Sequence, residues 1–188
     1  MVSYRITKFD PEKRDKHGAY QDDAEWTSMS DIGNPAYHSI TFADYAQVET
    51  AYVNAVKVIM AYQGVASLKI QDLESHFVTS KKKFEQYRST GGFEGLQIDY
   101  KSYFKEAKNE IYITGEQLDN MVRLVLREHL WMLLVSDKVE VQFGYDYYMY
   151  IKCARLNPAT INQIKATGLF VEENIERLKF AIISYKFS

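Results

Sequence analysis

The sequence predicts an α+β fold, with a mainly antiparallel sheet on which two longer helices and one short helix pack. Two observations indicate this class. Short segments of alternating apolar and polar residues are interspersed with segments of helical periodicity. One neighbouring pair of segments has the spacing of a β-hairpin, and the connections are short, which favours antiparallel pairing. For a chain of 188 residues we expect a single domain over 1–188.

The chain begins with a strand and a long polar loop. Apolar and polar side chains nearly alternate over residues 3–9, which predicts a first strand that ends at Asp10 and Pro11. Residues 11–35 contain hardly an aliphatic side chain apart from Met29 and Ile32, which predicts a long polar loop at about 11–40. A loop of this length is uncommon inside a compact domain, and such loops are usually functional. The alternative is a polar excursion that Trp26 pins to the body of the protein.

A long helix and a short strand follow the loop. Thr41 and Asp44 have the spacing of a capping box, and the apolar residues that follow predict a helix that ends at Gly64. Residues 68–70 indicate a short strand. We expect 80–95 to be irregular surface, because three lysines and two adjacent glycines interrupt any periodicity there.

A second long helix is predicted near the middle of the chain. Residues 110–113 have the character of a brief strand. Thr114 and Gln117 then resemble another capping box, and apolar residues continue at helical spacing through His129 to Leu133. This helix should be the most buried in the protein.

A hairpin and a short helix complete the prediction. Residues 139–143 and 149–153 alternate in character on either side of a turn, which predicts a β-hairpin with tyrosines at its bend. Asn157 and Pro158 mark the start of a short helix that Gly168 ends. We expect a final strand over 178–187.

Composition argues against several classes of function. The 23 basic and 25 acidic residues give a formal net charge of −2, which offers no field for holding a nucleic-acid backbone directly. The single cysteine, Cys153, cannot form an internal disulfide, which fits a reducing compartment. No signal core or membrane span is indicated, and no membrane partner is expected. We therefore expect a cytoplasmic protein.

No reactive constellation is apparent in the sequence. The four histidines lie apart, without the spacing that places two metal ligands on one helix face. Residues 91–95 lack the Lys-Ser/Thr ending of a phosphate-binding loop. We read His129 as a core or boundary histidine and Cys153 as a small buried apolar group. We therefore expect no catalytic residues, no metal ligands and no cofactor.

Aromatic and acidic residues cluster in two places. The chain has 15 tyrosines, 10 phenylalanines and 2 tryptophans, and exposed tyrosine and tryptophan are typical of protein-binding surfaces. Carboxylates in the long loop would steer a basic partner towards the protein, whereas aromatic rings would slow its dissociation. The candidate partner-binding residues are Asp22, Asp23, Glu25, Trp26, Asp31, Tyr145, Asp146, Tyr147 and Tyr148. Strand alternation leaves open that Tyr147 points into the sheet, which would make Tyr148 the better exposed candidate.

Four stretches carry a resemblance to a known group of proteins. They are YRITKFDP at 4–11, EWTSMSDIG at 25–33, LVLREHLW at 124–131 and FGYDYYMY at 143–150. Together they resemble small bacterial immunity proteins of polymorphic or contact-dependent toxin systems. The resemblance implies a non-enzymatic cytoplasmic protein that binds a cognate toxin, commonly a nuclease, and blocks or distorts its active site.

Two other interpretations remain open. One is an enzyme that acts on a small ligand, with a pocket between the acidic loop and the 138–153 hairpin. Its acid–base groups would be Asp31, His38 or Asp146. The other is an adaptor that self-associates through exposed tyrosines, most simply as a homodimer. An enzyme should have a deep pocket with converging polar groups, whereas an inhibitor should present a broad acidic and aromatic surface.

Overall fold

In the part of the chain that the structure describes, the fold is built on one seven-stranded sheet in which all the pairings are antiparallel. The computed structural model describes residues 1–37, 39–75, 80–144 and 147–173. Numbered along the chain, the strands have the spatial order β3-β2-β4-β5-β6-β1-β7. The strands are β1 Val2–Thr7, β2 Leu68–Glu74, β3 Tyr112–Ile113, β4 Trp131–Val135, β5 Glu140–Phe143, β6 Tyr148–Cys153 and β7 Phe170–Glu173. The predicted α+β class is confirmed.

Five helices accompany the sheet in the described ranges. They are α1 Phe42–Gln63, α2 Lys81–Ser89, α3 Tyr100–Glu106, α4 Gly115–Leu126 and α5 Pro158–Lys165. Short 3₁₀ turns occur in the long loop at Pro11–Lys13, Met29–Asp31 and Pro35–Tyr37. Helix α1 packs against both α4 and α5.

One face of the sheet forms the core with the helices, since buried residues alternate with more exposed ones along β4, β5 and β6. The inward side chains that are fully buried include Ile6, Ile70, Leu134, Val141 and Ile151. They belong to one hydrophobic cluster with the apolar residues of α1 and α4. The alternate residues of the same strands are only partly buried, so the second face of the sheet keeps some exposure.

Local capping signals place α1 and α5 as predicted. The Thr41 hydroxyl accepts from the Asp44 amide at 3.2 Å, and the Asp44 carboxylate accepts from the Thr41 amide at 2.8 Å. Gly64 ends α1 in the left-handed conformation, with a φ of 67°. Asn157 caps α5 by accepting from the Thr160 amide at 2.8 Å. The 139–153 hairpin is also confirmed, as β5 and β6.

The predicted length of the second long helix is wrong. Helix α4 ends at Leu126, and the apolar run that follows forms strand β4. Glu128 adopts a φ of 61°, and the amide of His129 donates back to the carbonyl of Leu124 at 2.9 Å. This arrangement is a Schellman-type ending, which normally uses glycine. Thr114 does not cap the helix, because its hydroxyl donates to the Ala66 carbonyl at 2.8 Å.

The expectation of irregular surface over 80–95 is also wrong. Ser80 caps α2, and α3 follows after a short connection. The ring of Phe84 is fully buried and stacks on Phe93 with a centroid distance of 4.6 Å. A single buried residue therefore anchors an otherwise polar helix. The final strand expected over 178–187 lies outside the described residues.

None of the helices in the described ranges combines the length and the apolar character that a bilayer crossing requires.

Candidate functional site

The long loop is held to the body of the protein by Trp26. Its ring is only 5% exposed and lies 5.4 Å from the ring of Tyr45 and 5.1 Å from the ring of Tyr147. The ammonium group of Lys8 lies 3.9 Å from the centroid of the Trp26 ring and forms an ion pair with Glu25. The expectation that Trp26 lies at the surface is therefore wrong, and the alternative of a pinned loop describes its placement.

Burial affects the charge of Lys8. It lowers the pKa of the ammonium group below its ordinary value, and the hydrogen bond to Glu25 opposes this shift. The backbone amide of Lys8 donates a hydrogen bond to the Tyr52 hydroxyl at 2.8 Å. Glu25 is thus the counter-charge that allows the Lys8 ammonium group to lie against the aromatic rings of Trp26 and Phe9.

The predicted acidic residues have different roles in the structure. Asp22 forms an ion pair with Lys13 at 3.3 Å. Asp31 accepts from the backbone amides of Thr27 at 2.9 Å and Ser28 at 3.0 Å, so it stabilises a 3₁₀ turn. Asp23 is exposed. Of the four predicted acidic residues in the loop, Asp23 is therefore the most exposed.

Two further carboxylates of the same loop are exposed and were not among the predicted site residues. Glu12 is exposed on the first 3₁₀ turn, and Asp15 is exposed in the turn that follows. The Asp15 carboxylate accepts from the amides of His17 at 2.8 Å and Ala19 at 2.9 Å, which fixes its position. The feature of the sequence that could have identified Glu12 and Asp15 is the spread of acidic residues over the whole loop.

The hairpin residues divide between the core and the surface. Tyr147 is 5% exposed and adopts a φ of 59°. Its hydroxyl donates to that of Tyr45 at 3.0 Å, and its carbonyl accepts from the Tyr52 hydroxyl. Burial, with the neighbouring Tyr45, raises the pKa of Tyr147. The role of Tyr147 as an exposed anchor is therefore wrong, while Tyr145 and Asp146 lie outside the described residues.

Tyr148 remains partly exposed on the other side of the strand. The guanidinium groups of Arg5 and Arg14 lie 5.4 and 5.7 Å from the centroid of its ring. Both arginines bind Glu172, Arg5 at 2.7 Å and Arg14 at 2.8 Å. Among the predicted aromatic residues that the structure describes, Tyr148 is thus the one left partly accessible, as strand alternation suggested.

A buried ionic network lies between α1 and α4. Glu49 is fully buried, and its carboxylate accepts from Arg127 Nε at 2.7 Å and Nη2 at 2.8 Å. Arg123 donates to the same carboxylate at 2.6 Å. The remaining nitrogen of Arg127 donates to the carbonyls of Gly92 at 3.2 Å and Glu94 at 2.9 Å. The network therefore connects both helices to the segment between α2 and α3.

His129 extends this network from the turn between α4 and β4. Its Nε2 lies 3.2 Å from the Gly92 carbonyl, which can only accept, so Nε2 carries the proton. Its Nδ1 then accepts from the Tyr87 hydroxyl at 2.7 Å. Burial lowers the pKa of His129 to about 4, so the ring is neutral at pH 7. With both nitrogens bonded, His129 is a structural residue in this arrangement.

A cavity of about 370 Å³ lies beside His129. It opens between loop residues 28–30, the segment around Tyr87 and Gly92, and the end of α4. Asp31, proposed as an acid–base group, does not line the described cavity, and His38 and Asp146 lie outside the described residues. This cavity thus lies between the loop and the end of α4, and the pocket predicted between the loop and the 138–153 hairpin stays a prediction.

A second cavity and the cysteine add no reactive group. The second cavity, of about 460 Å³, is open and lies between Arg88 and Ser102. Cys153 is fully buried in β6, and burial raises the pKa of its thiol to about 11. At neutral pH it is therefore protonated. Within the described part of the chain, no group of three or more His, Cys, Asp and Glu side chains could hold a metal ion.

No family model, no curated protein and no solved structure matches this chain.

Proposed function

We propose that this is a non-enzymatic cytoplasmic protein that binds a basic protein partner through the outward carboxylates of its long loop. The partner that fits best is a toxin domain of the nuclease type, because a cleft that binds nucleic acid is basic. On this proposal the protein acts as an immunity protein, which neutralises the toxin by occupying its substrate cleft.

One observation carries the proposal: the loop is fastened before any partner arrives. Trp26 and the Lys8–Glu25 ion pair fix its inner side, whereas Glu12, Asp15 and Asp23 lie exposed on its outer side. A surface that is already ordered loses less conformational entropy on binding than a mobile loop does. The carboxylates then increase the rate of encounter with a positively charged partner.

The experiment starts from the intact protein as bait. Proteins that it captures from a bacterial lysate are identified, purified and tested for nuclease activity with and without the bait. Binding is then measured by surface plasmon resonance at several salt concentrations. The test variant is Glu12→Lys with Asp23→Lys, and the matched control is Asp137→Lys, an exposed reversal in the turn between β4 and β5.

We expect the double reversal to raise Kd by about tenfold or more, mostly through slower association, and to weaken the salt dependence. The control reversal should leave Kd within about twofold. Stoichiometric inhibition of a captured nuclease would support the immunity role. A captured partner that binds the double variant and the wild type equally would contradict the proposal.

The cavity beside His129 favours a second candidate, a protein that binds a small ligand there. Tyr87, Thr90 and Ser30 supply hydroxyl groups around it. The two candidates differ in one measurement. A small molecule that raises the melting temperature of the wild type, but not that of a Thr90→Trp variant with a filled cavity, would support the second.

A further inference from the structure

Strand β4 is apolar on both faces, which is unusual for an antiparallel sheet with helices on one side. Met132 and Leu134 point into the core and are fully buried. Trp131, Leu133 and Val135 alternate with them on the outer face and are only partly buried. A strand with one face in water normally alternates apolar and polar residues, and a continuous apolar run is typical of a strand covered on both faces.

The strands on either side of β4 have polar outer residues. Lys69 of β2 and Glu140 of β5 are the direct partners of Val135, so all three share the outer face. Gln71 and Gln142 flank Leu133 in the same way. The outer face therefore has an apolar ridge along β4 between two polar rows, the arrangement found at the centre of protein interfaces.

We infer that this face binds a second copy of the chain, with a two-fold axis parallel to β4. Such an axis places β4 of one copy on β4 of the other and exchanges the flanking strands, so that β2 faces β5. Rotation about this axis does not change the position of a residue along the axis. Lys69 of each copy therefore faces Glu140 of the other copy, which gives two such contacts. Leu133 and Val135 then pack on their own equivalents at the centre.

The charges of the face fit a second copy better than a strongly charged partner. Both signs occur in one row: Lys69 and Lys152 are basic, and Glu140 is acidic. The same operation places Tyr112, which is 64% exposed, over Lys152 of the other copy, a pairing that favours a cation–π contact. This row of outer-face residues is therefore complementary to the same row of a second copy related by the two-fold axis parallel to β4.

The test exploits the exchange of strands. Within one chain Lys69 pairs with Glu110 at 2.8 Å and Glu140 with Lys152 at 3.0 Å, so they do not pair with each other. In a dimer of Lys69→Glu chains two glutamates face each other at both contacts, and Glu140→Lys chains place two lysines together. A mixture of the two variants restores an opposite pair at both contacts.

Sedimentation velocity of the full chain from about 1 to 200 µM measures the dimer, because dimerisation depends on protein concentration. We expect the wild type to dimerise and each single variant to do so at least about tenfold more weakly. Mixing the two variants should recover dimers. Leu133→Glu should abolish dimers while keeping the circular dichroism spectrum, and the exposed Lys165→Glu serves as the control.

Three results would overturn the inference. One is a wild-type chain that stays monomeric over the whole range. Another is a dimer that persists in Leu133→Glu. The third is a mixture of the two charge variants that dimerises no better than either alone. Since the acidic loop is intact in all of these chains, failure here leaves the proposed toxin binding untouched.

Discussion

Removal of Glu49 should destabilise the protein more than removal of Arg127, although the two form one buried ion pair. The order follows from the third member of the network. Without Arg127, the Glu49 carboxylate keeps its 2.6 Å bond to Arg123. Without Glu49, the Arg127 guanidinium, whose side chain is 1% exposed, keeps only two carbonyl partners and has no counter-charge.

The magnitude follows from the burial of the pair. Breaking a fully buried ion pair by removing one partner typically costs about 3–5 kcal/mol, because the remaining charge is uncompensated. We assign the upper part of this range to Glu49→Leu and about 3 kcal/mol or less to Arg127→Met. For a chain of this size each kcal/mol lowers Tm by about 2–4 °C. A loss of about 4 kcal/mol is therefore expected to lower Tm by roughly 8–16 °C.

The assay is urea unfolding of the wild type, both single variants and the double variant. The double variant should be more stable than the sum of the single losses predicts, with a coupling free energy of about 2 kcal/mol. Lys57→Met is the matched control, because Lys57 joins the same two helices through Asp119 at 2.6 Å but is 42% exposed. Its loss should stay below about 1 kcal/mol. If Glu49→Leu cost no more than this control, the reasoning would be refuted.

Three further predictions concern the loop and the His129 network. Trp26→Ala should cost about 3–5 kcal/mol in urea unfolding, because it empties a site enclosed by aromatic rings; a loss below about 1 kcal/mol would mean that the loop does not need this anchor. The pKa of His129 is about 4 in the folded protein and 6.5 ordinarily. The neutral ring therefore contributes about 3 kcal/mol to the free energy of unfolding. This contribution is complete above pH 6.5 and falls as the pH is lowered towards 4. His129→Gln should flatten the stability profile over that window, whereas the exposed His17→Gln should leave it unchanged. Gly92→Ala would place a methyl carbon 2.1 Å from the Tyr87 ring. It should therefore displace that ring and lower the free energy of unfolding by about 1–3 kcal/mol. Tyrosine fluorescence and urea unfolding check this prediction, and a neutral effect would show that the ring is not held there.

The elements that the sequence predicted well carry their signals locally. Helix α1 has a reciprocal cap at Thr41 and a left-handed glycine at its end, and α5 has an asparagine cap followed by proline. The β5–β6 hairpin alternates cleanly in character. Each of these signals lies within a few residues of the boundary that it sets, so no tertiary contact is needed to interpret it.

The boundary between α4 and β4 could not be predicted in this way. Helical spacing continues through residues 124–133, because a strand that is apolar on both faces looks like a buried helix. The residue that ends the helix, Glu128, adopts a left-handed conformation that is usually taken by glycine. Helix α2 was missed for the opposite reason. Its stability depends on the contact of one buried ring, Phe84, with residues further along the chain.

In the candidate site, the sequence could indicate the surface position of the loop carboxylates but not the burial of the aromatic residues. Carboxylates must stay in contact with water or pair with a cation, so acidic residues in a loop are reliably near the surface. Aromatic residues can lie on either side of that boundary, and the burial of Trp26 depends on Lys8, Tyr45 and Tyr147 from three other segments. Composition therefore pointed to the loop that we propose as the site, but it could not tell the buried anchor of the loop from its exposed residues.

This division of roles separates two ways in which a loop variant could lose a partner. Trp26 acts on the inner side, so its removal would weaken binding only by loosening the loop, and unfolding free energy and affinity should fall together. Glu12 and Asp23 act on the outer side, so their reversal should lower the association rate while the unfolding free energy stays within about 0.5 kcal/mol. A partner whose affinity is unchanged by the reversal of Glu12 and Asp23 would not be bound through these carboxylates, even if it were lost with Trp26→Ala, because loosening the loop acts through stability whereas charge reversal acts through the association rate.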